Sequence, residues 1–333
     1  MCATDLSASP LSAAAAGQGG APNEAGSTEL KHSTWHELMS VFVWTLPVLL
    51  RDLLFLTIYV ILLLPGFLPM AWFYFTTPDR ISVRYKNDSC RNTLDVYGSS
   101  LSHHRSVGGT NQQQQQEQKQ KPPLKPVILF LPGGAFTIGY KLWAALLAQA
   151  LVPAGLVIVV ADYRNYPWGT VPDMLHDADA VLRWTIQHCQ RFGGNPEQVL
   201  LVGQSAGAHL GLMTLLRRYE QQEHATTSIA QRRLPIDVPD QQQQQRQLPN
   251  VKGFIGLSGV YDMQQVIQLC AKHGLSSTFV TERLLGNRRQ DCDPTEWLLR
   301  QKKLAPSTRT LSSLPPIELW HGTADRTVRG HRV

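Results

Sequence analysis

Residues 199–216 read VLLVGQSAGAHLGLMTLL, and this stretch decides the fold. The apolar run Val199–Val202 predicts a buried strand, and Ala206–Tyr219 has the spacing of a helix. Between them, Gly203-Gln204-Ser205-Ala206-Gly207 matches the Gly-x-Ser-x-Gly pattern, in which a strand turns sharply into a helix and exposes a serine hydroxyl. Glycines are needed on both sides because a side chain would collide with the backbone of so tight a turn. Ser205 is therefore the predicted nucleophile.

A second glycine-rich segment follows another apolar run. Residues 126–131 (PVILFL) predict a strand buried on both faces, and Pro132-Gly133-Gly134-Ala135 comes directly after it. In hydrolases with this kind of serine turn, such a loop donates N–H groups to the oxyanion, together with the residue after the nucleophile. The predicted oxyanion and substrate-binding residues are Gly133, Gly134, Ala135 and Ala206.

The acid of a serine triad is expected on the loop after a late strand. Residues 317–320 predict that strand, and Asp325 follows it, so Asp325 is the predicted acid that orients the catalytic histidine. His321 precedes Asp325 and is interpreted as a support of the loop. The one histidine after Asp325 is His331, six residues on, whereas the class normally places its base after a further helix and strand. This spacing favours a truncated chain or an aberrant C-terminus.

Strand and helix signals alternate from residue 80 onward, which predicts an α/β-hydrolase fold with a mostly parallel sheet and helices on both faces. Residues 80–333 are assigned to this domain, with glutamine-rich inserts near 98–125 and 221–250. The predicted strands are Ser82–Tyr85 and Thr93–Tyr97, paired as a hairpin, then 126–131, 156–161, 199–202, 251–257 and 317–320; the predicted helices are 141–154, 171–192 and 206–219.

The N-terminal part has a different composition. Residues 1–34 are rich in Ala, Ser and Gly and predict a disordered tail. Residues 35–76 predict a membrane-anchoring segment, because Leu53–Phe75 carries no charge and about 20 apolar residues cross a bilayer. The Lys/Arg bias after this segment predicts a catalytic domain facing the cytosol. A glycan on Asn87, which lies in an Asn-Asp-Ser sequon, would contradict that orientation.

The net charge of +6 is too small for a nucleic-acid-binding footprint, although it is compatible with an anionic membrane surface. The five cysteines have no metal or redox spacing, which favours reduced thiols; no cofactor is expected. Other polar side chains are interpreted structurally: His209 as packing beneath the serine turn, residues 162–164 as a brace of the oxyanion loop, and His176, Asp177 and Asp179 as a solvated helix face.

Seven segments of the chain resemble the isoprenylcysteine methylesterases, which are membrane α/β hydrolases. The segments are LLLPGFLPMAWFYF (62–75), RNTLDVY (91–97), PGGAFTIGYKLW (132–143), DYRNYPWGTVPDM (162–174), FGGNPEQVLLVGQSAGAH (192–209), GLSGVYD (256–262) and HGTAD (321–325). The chain departs from the family pattern at Pro132, where a histidine or threonine is usual, and in having no counterpart of the family's final histidine segment.

The resemblance implies a serine carboxylesterase that demethylates prenylcysteine methyl esters, either as small molecules or at protein C-termini, at the membrane of the endoplasmic reticulum or Golgi. Ser205 would be the nucleophile, Asp325 the acid, and Gly134 with Ala206 the oxyanion donors. Two alternatives stay open. One is an arylformamidase-like enzyme or general carboxylesterase, and the other is an inactive hydrolase-fold protein that binds lipidated partners.

Overall fold

The computed structural model describes residues 61–99, 123–231, 251–272, 274, 276–304 and 314–323, with parts of 46–58; for 223–231 and 304 it describes the backbone alone. The chain divides into two units, residues 1–69 and 70–333. The domain boundaries expected from the sequence stay predictions.

In the first unit, residues 61–69 are helical and every one of them is exposed. The exposed side chains include Ile61, Leu62, Leu63, Leu64, Phe67 and Leu68. Within the described residues no helix combines the length and the apolarity that a membrane crossing requires, so the predicted membrane helix is not confirmed.

The second unit contains a seven-stranded sheet in the order β1-β2-β4-β3-β5-β6-β7. The strands are β1 (Ile81–Arg84), β2 (Thr93–Tyr97), β3 (Lys125–Leu131), β4 (Val157–Ala161), β5 (Gly194–Gln204), β6 (Gly253–Leu257) and β7 (Ile317–Trp320). β1 and β2 form the predicted antiparallel hairpin, and β2 joins β4 antiparallel. The pairs from β4 through β3, β5 and β6 to β7 are all parallel, so these five strands end at one edge of the sheet. The mostly parallel sheet is confirmed.

In the second unit, residues 70–76 are helical, and the helices after β3 connect the strands. They are α1 (Ala145–Leu151), α2 (Val171–His188), α3 (Ala206–Gln231), α4 (Met263–Lys272), α5 (Arg289–Cys292) and α6 (Pro294–Leu304). Short 3-10 turns at Lys141–Ala144, Val152–Ala154 and Cys189–Phe192 extend α1 and α2 to the predicted lengths, and Phe279–Leu284 is a π-helix. α3 continues beyond the predicted Tyr219 into the expected insert.

Successive residues of β4 point to opposite faces of the sheet and enter different apolar clusters. Val157 and Val159 pack in the larger cluster with residues of α2 and α3. Ile158 and Val160 pack on the other face with Ala148 of α1. Both faces of the sheet are therefore covered, which explains why its central strands are apolar at every position.

Candidate functional site

Ser205 lies between the end of β5 and the start of α3 in the left-handed backbone region, with φ of 50°. Its N–H donates to the carbonyl of Leu257 in β6 at 2.8 Å, and its carbonyl accepts the N–H of His209 at 3.1 Å. Ser205 is half-buried and precedes the first residue of α3, so it is neither inside the core nor within the helix. The strand–turn–helix geometry expected at this position is confirmed, whereas the chemical role of Ser205 stays a prediction.

The two glycines of the motif have no room for a side chain. A Cβ on Gly207 would lie 2.0 Å from the carbonyl oxygen of Leu131, and one on Gly203 would lie 2.5 Å from the Cα of Ala208. Both obstacles are backbone atoms, which cannot rotate away. Gly207 therefore lets α3 start directly against the end of β3, and Gly203 lets β5 turn directly into α3.

The loop after β3 lies against the serine turn. A Cβ on Gly133 would be 2.9 Å from the carbonyl oxygen of Gln204 and 3.1 Å from the Cβ of Ser205. The structure thus brings Gly133 and Ser205 together, as expected. Ala206 is the first residue of α3, and the first N–H groups of a helix have no partner within the helix.

The same loop has an unusual backbone. Gly134, Ala135 and Phe136 have φ values of 142°, 49° and 62°. The carbonyl of Gly134 accepts N–H donors from Thr137 and Ile138, both at 2.9 Å. Left-handed conformations cost about 1–2 kcal/mol in residues with a Cβ, and such strain is concentrated at functional sites.

His209 lies in the first turns of α3 and packs against the oxyanion loop. It is fully buried, its Nδ1–H donates to the carbonyl of Val260 at 2.7 Å, and its ring meets the ring of Phe136 edge-on at 5.4 Å. Burial lowers the pKa of His209 to about 4, so the ring is neutral at pH 7. The interpretation of His209 as a packing residue is confirmed.

The predicted brace of the oxyanion loop is also present. Tyr163 Oη donates to the carbonyl of Pro132 at 2.6 Å, and Asp162 Oδ1 accepts the N–H of Lys141 at 2.7 Å. Asp162 is 3% exposed, and burial raises its pKa to about 6. Arg164 differs, because its guanidinium turns away from the loop and bonds Asp177.

The prediction of a solvated face on α2 is wrong for Asp177. Its side chain is fully buried and contacts Arg164 Nε at 2.8 Å and Lys86 Nζ at 3.3 Å. Two cations compensate for the lost hydration of the carboxylate. His176 is exposed and Asp179 is half-buried, with Arg218 as an ion-pair partner.

Three residues at this edge were not found from the sequence. The carbonyl of Gly139 accepts hydrogen bonds from Asn165 Nδ2 and Arg91 Nη2. Ser258, which follows β6, has φ of 48° and donates its N–H to the carbonyl of Trp320 at 2.7 Å. None of these partners is near in sequence to the residue it contacts, so no motif spacing reveals them.

Asp325 and His331 lie outside the described residues, so their places in the site stay predictions. His321 is described and half-buried, directly after β7.

Comparison with known proteins identifies relatives that are named isoprenylcysteine methylesterases. Isoprenylcysteine alpha-carbonyl methylesterase ICME of Arabidopsis thaliana is 32% identical over 84% of this chain and 56% of its own length. A probable isoprenylcysteine alpha-carbonyl methylesterase of Oryza sativa subsp. japonica is 31% identical over 84% of this chain and 57% of its own length. The chain therefore spans little more than half the length of these curated relatives.

Among solved structures, esterase 2 of Thermogutta terrifontis, phosphoramylated by tabun, is 20% identical with a TM-score of 0.48, covering 76% of this chain and 74% of its own. The BD-FAE family model matches residues 114–332, a range that includes β3 with the loop after it, the serine turn and the strands beyond. With this match over most of its length, the chain belongs to the BD-FAE family of the α/β-hydrolase superfamily.

Proposed function

We propose that this protein is a carboxylic ester hydrolase in which Ser205 is the nucleophile. The observation that carries the proposal is the position of Ser205: it stands at a left-handed turn between β5 and α3, with the backbone of Gly133 against it. A serine held this way presents its Oγ at the carboxyl edge of a parallel sheet. The relatives named as esterases and carboxylic ester hydrolases support the same reaction class.

In the proposed reaction, a general base removes the Ser205 hydroxyl proton while Oγ attacks the ester carbonyl. The carbonyl oxygen becomes an oxyanion and accepts N–H donors from Ala206, Gly134 and Ala135. As this intermediate collapses, the protonated base returns its proton to the leaving methoxide, so that methanol departs. Water, deprotonated by the same base, then hydrolyses the acyl-enzyme. Asp325 is the proposed acid. The parallel pairing of β5, β6 and β7 supports this role, because the chain that leads to Asp325 departs from the same edge of the sheet as Ser205.

The proposed substrate is a methyl ester of isoprenylcysteine. This assignment rests on the names of the curated relatives and on their identity of 29–32% to this chain. The prenyl chain is apolar, and each CH₂ group that leaves water contributes about 0.8 kcal/mol. Such a substrate is concentrated at a lipid surface, where a tethered enzyme meets it.

We further propose that the apolar residues 61–69 associate with the cytosolic surface of an endoplasmic reticulum or Golgi membrane. A soluble helix normally presents one apolar stripe, whereas this one exposes apolar side chains at 61–64, 67 and 68, which is most of its circumference. Leu62 and Leu63 are 72% and 51% exposed. Apolar side chains on so many sides favour immersion in the lipid of that surface over a groove of a partner protein, which covers one face of a helix.

Covalent labelling by a fluorophosphonate tests the nucleophile. We expect the full chain to be labelled, and Ser205→Ala to abolish the labelling. Ser258→Ala is the matched control, because Ser258 also has a left-handed backbone and also follows a parallel strand. Labelling that persists in Ser205→Ala, or a wild-type chain that is never labelled, would contradict the proposed nucleophile.

Hydrolysis assays test the substrate. We expect kcat/KM for farnesylcysteine methyl ester to exceed that for S-methylcysteine methyl ester by at least about tenfold, since burial of two CH₂ groups already corresponds to this ratio. N-formylkynurenine should be a poorer substrate still. Equal values for the two methyl esters would indicate a general carboxylesterase, and a preference for N-formylkynurenine an arylformamidase-like enzyme.

Flotation with phosphatidylcholine vesicles tests the lipid contact. We expect the chain to float, and Leu62→Asp with Leu63→Asp to reduce the floating fraction several-fold, because a carboxylate is costly in the apolar layer. Leu298→Asp with Leu299→Asp is the control, since these residues of α6 are 40% and 50% exposed and lie outside the proposed segment. Equal flotation of both variants would refute the contact at residues 61–69.

A further inference from the structure

The carbonyl of Gly139 is held by two side chains that come from distant parts of the chain. Asn165 Nδ2 donates to this oxygen at 2.6 Å, and Arg91 Nη2 donates to it as well. Asn165 is 2% exposed, and the Arg91 side chain is 23% exposed. A carbonyl with two fixed donors, one of them charged, has little freedom to rotate.

Gly139 in turn fixes Gly134, which carries one of the proposed oxyanion donors. A Cβ on Gly134 would lie 2.2 Å from the nitrogen and 2.5 Å from the Cα of Gly139, so the two backbones are in direct contact. The turn between them is closed by N–H groups of Thr137 and Ile138 on the carbonyl of Gly134. The backbone of Gly139 therefore cannot move toward Gly134 without displacing it.

Arg91 is itself held on three sides. Its guanidinium lies over the ring of Tyr140 at 5.3 Å from the centroid, and its Nη2 is 3.6 Å from Asp162 Oδ1. Asp162 also accepts the N–H of Lys141, which follows Tyr140. The planar, rigid guanidinium can serve a carbonyl, a carboxylate and a ring at once, and an ammonium group cannot.

We propose, building on the proposed ester hydrolase function, that Arg91 and Asn165 are positioning residues for the oxyanion donors. By holding the carbonyl of Gly139 they keep the N–H groups of Gly134 and Ala135 directed at the place where the oxyanion forms. The loop needs such support because Ala135 and Phe136 adopt left-handed backbone conformations, which persist only where the surroundings enforce them.

The kinetics of fluorophosphonate labelling provide the first test, with Asn165→Ala, Arg91→Ala and Arg91→Lys. We expect the maximal labelling rate to fall about 10- to 100-fold in the alanine variants, below the 10²–10³-fold effect of deleting an oxyanion donor. The reagent concentration at half-maximal rate should stay unchanged, and Arg91→Lys should recover part of the loss.

Arg218→Ala is the matched control, because Arg218 is buried like Asn165 and ion-paired like Arg91, but its partner Asp179 lies away from the loop. It should lower stability and leave the maximal labelling rate unchanged. A rate that is unchanged in Asn165→Ala and Arg91→Ala, with lower stability alone, would refute the positioning role.

Amide hydrogen exchange provides a second readout that does not need an active enzyme. We expect the peptide 132–140 to exchange at least about tenfold faster in Asn165→Ala and Arg91→Ala, and β5 to be unaffected. If the wild type is not labelled but this peptide loosens, the hydrolase proposal fails and the support of the loop stands. If the wild type is labelled and the peptide does not loosen, the positioning role is wrong.

Discussion

Ser205, Ala135 and Phe136 all carry a Cβ, and all three adopt left-handed backbone conformations at one edge of the sheet. Ser205 and Phe136 are held by contacts that come from other elements: Ser205 through the carbonyl of Leu257, and Phe136 through the ring of His209 and its own carbonyl, which accepts the N–H of Tyr166. The strain is thus distributed around the site, and the packing of buried neighbours maintains it.

The close approach of the Gly207 backbone to Leu131 at the serine turn can be tested with Gly207→Ala. The new Cβ would lie 2.0 Å from the carbonyl oxygen of Leu131, so α3 has to move away from β3. We expect the free energy of unfolding in urea to fall by about 3 kcal/mol, the upper part of the range for overpacking, and labelling of Ser205 to be lost.

Gly155→Ala is the control for this substitution. Gly155 has φ of 82°, and no atom lies within 4 Å of the place that a Cβ would take, so only backbone strain of about 1 kcal/mol is added. Equal losses of stability in the two variants would show that the contact with Leu131 is not what requires a glycine.

At the residue scale, the sequence predicted what is local and missed what is distant. The pattern of residues 203–207 predicted the serine turn, because the steric demand acts within five positions. Asp177 was assigned wrongly, since nothing adjacent to it in sequence announces Arg164 and Lys86 as partners. Arg91 and Asn165 were missed for the same reason: they contact Gly139 from 48 and 26 positions away.

Among the elements, α4 and α6 share one capping residue. Asp293 is 1% exposed; its Oδ2 accepts the N–H of Met263 at the start of α4, and its Oδ1 accepts that of Thr295 at 2.9 Å in the first turn of α6. A side chain that caps two helices fixes their starts relative to each other.

We expect Asp293→Ala to lower the free energy of unfolding by about 1–4 kcal/mol, because two caps contribute about 0.5–2 kcal/mol each. Asp262→Ala removes the cap of α4 formed with the N–H groups of Gln264 and Gln265, and should cost about 1 kcal/mol. Urea denaturation measures both. If the loss in Asp293→Ala does not exceed that in Asp262→Ala, the double cap has no energetic weight.

The bounds of a strand could be predicted from the sequence where its apolar pattern was clear. They could not be predicted where pairing with a neighbouring strand determined where it begins. Thr93–Tyr97 and Ile317–Trp320 have the predicted bounds. β5 begins at Gly194, five residues earlier than predicted, because Lys125 pairs with Gly194 although the intervening residues are polar. The helices between residues 263 and 304 were not predicted, because they are short and Gly274, Gly286, Asp293 and Pro294 separate or end the apolar segments.

For the molecule as a whole, His209 and Asp162 act on the pH dependence of stability in opposite directions. The pKa of His209 falls from 6.5 to about 4, so the unfolded chain binds more protons between these values and stability is lost as the pH falls through them. The pKa of Asp162 rises from 3.8 to about 6, so the folded chain binds more protons and stability is lost as the pH rises.

Substitutions separate the two effects. Relative to His209→Gln, the free energy of unfolding of the wild type should fall by on the order of 3 kcal/mol as the pH is lowered from 7 to 4, at about 1.4 kcal/mol per pKa unit. Relative to Asp162→Asn, it should fall by a similar amount as the pH is raised from 4 to 6.5. Urea denaturation across this range measures both differences, and differences of the same sign would contradict the assigned directions.

The strand register also decides where length variation can occur. The first glutamine-rich segment follows Tyr97 and rejoins the sheet at Lys125, and the second rejoins it before Gly253. Tyr97 pairs with Ile158 near the start of β4, and Lys125 pairs with Gly194 at the start of β5. Gly253 pairs with Leu200 in the middle of β5. These junctions occupy the rim opposite Ser205. Insertion or deletion of glutamines in these segments would therefore change the length of the chain without displacing the serine turn.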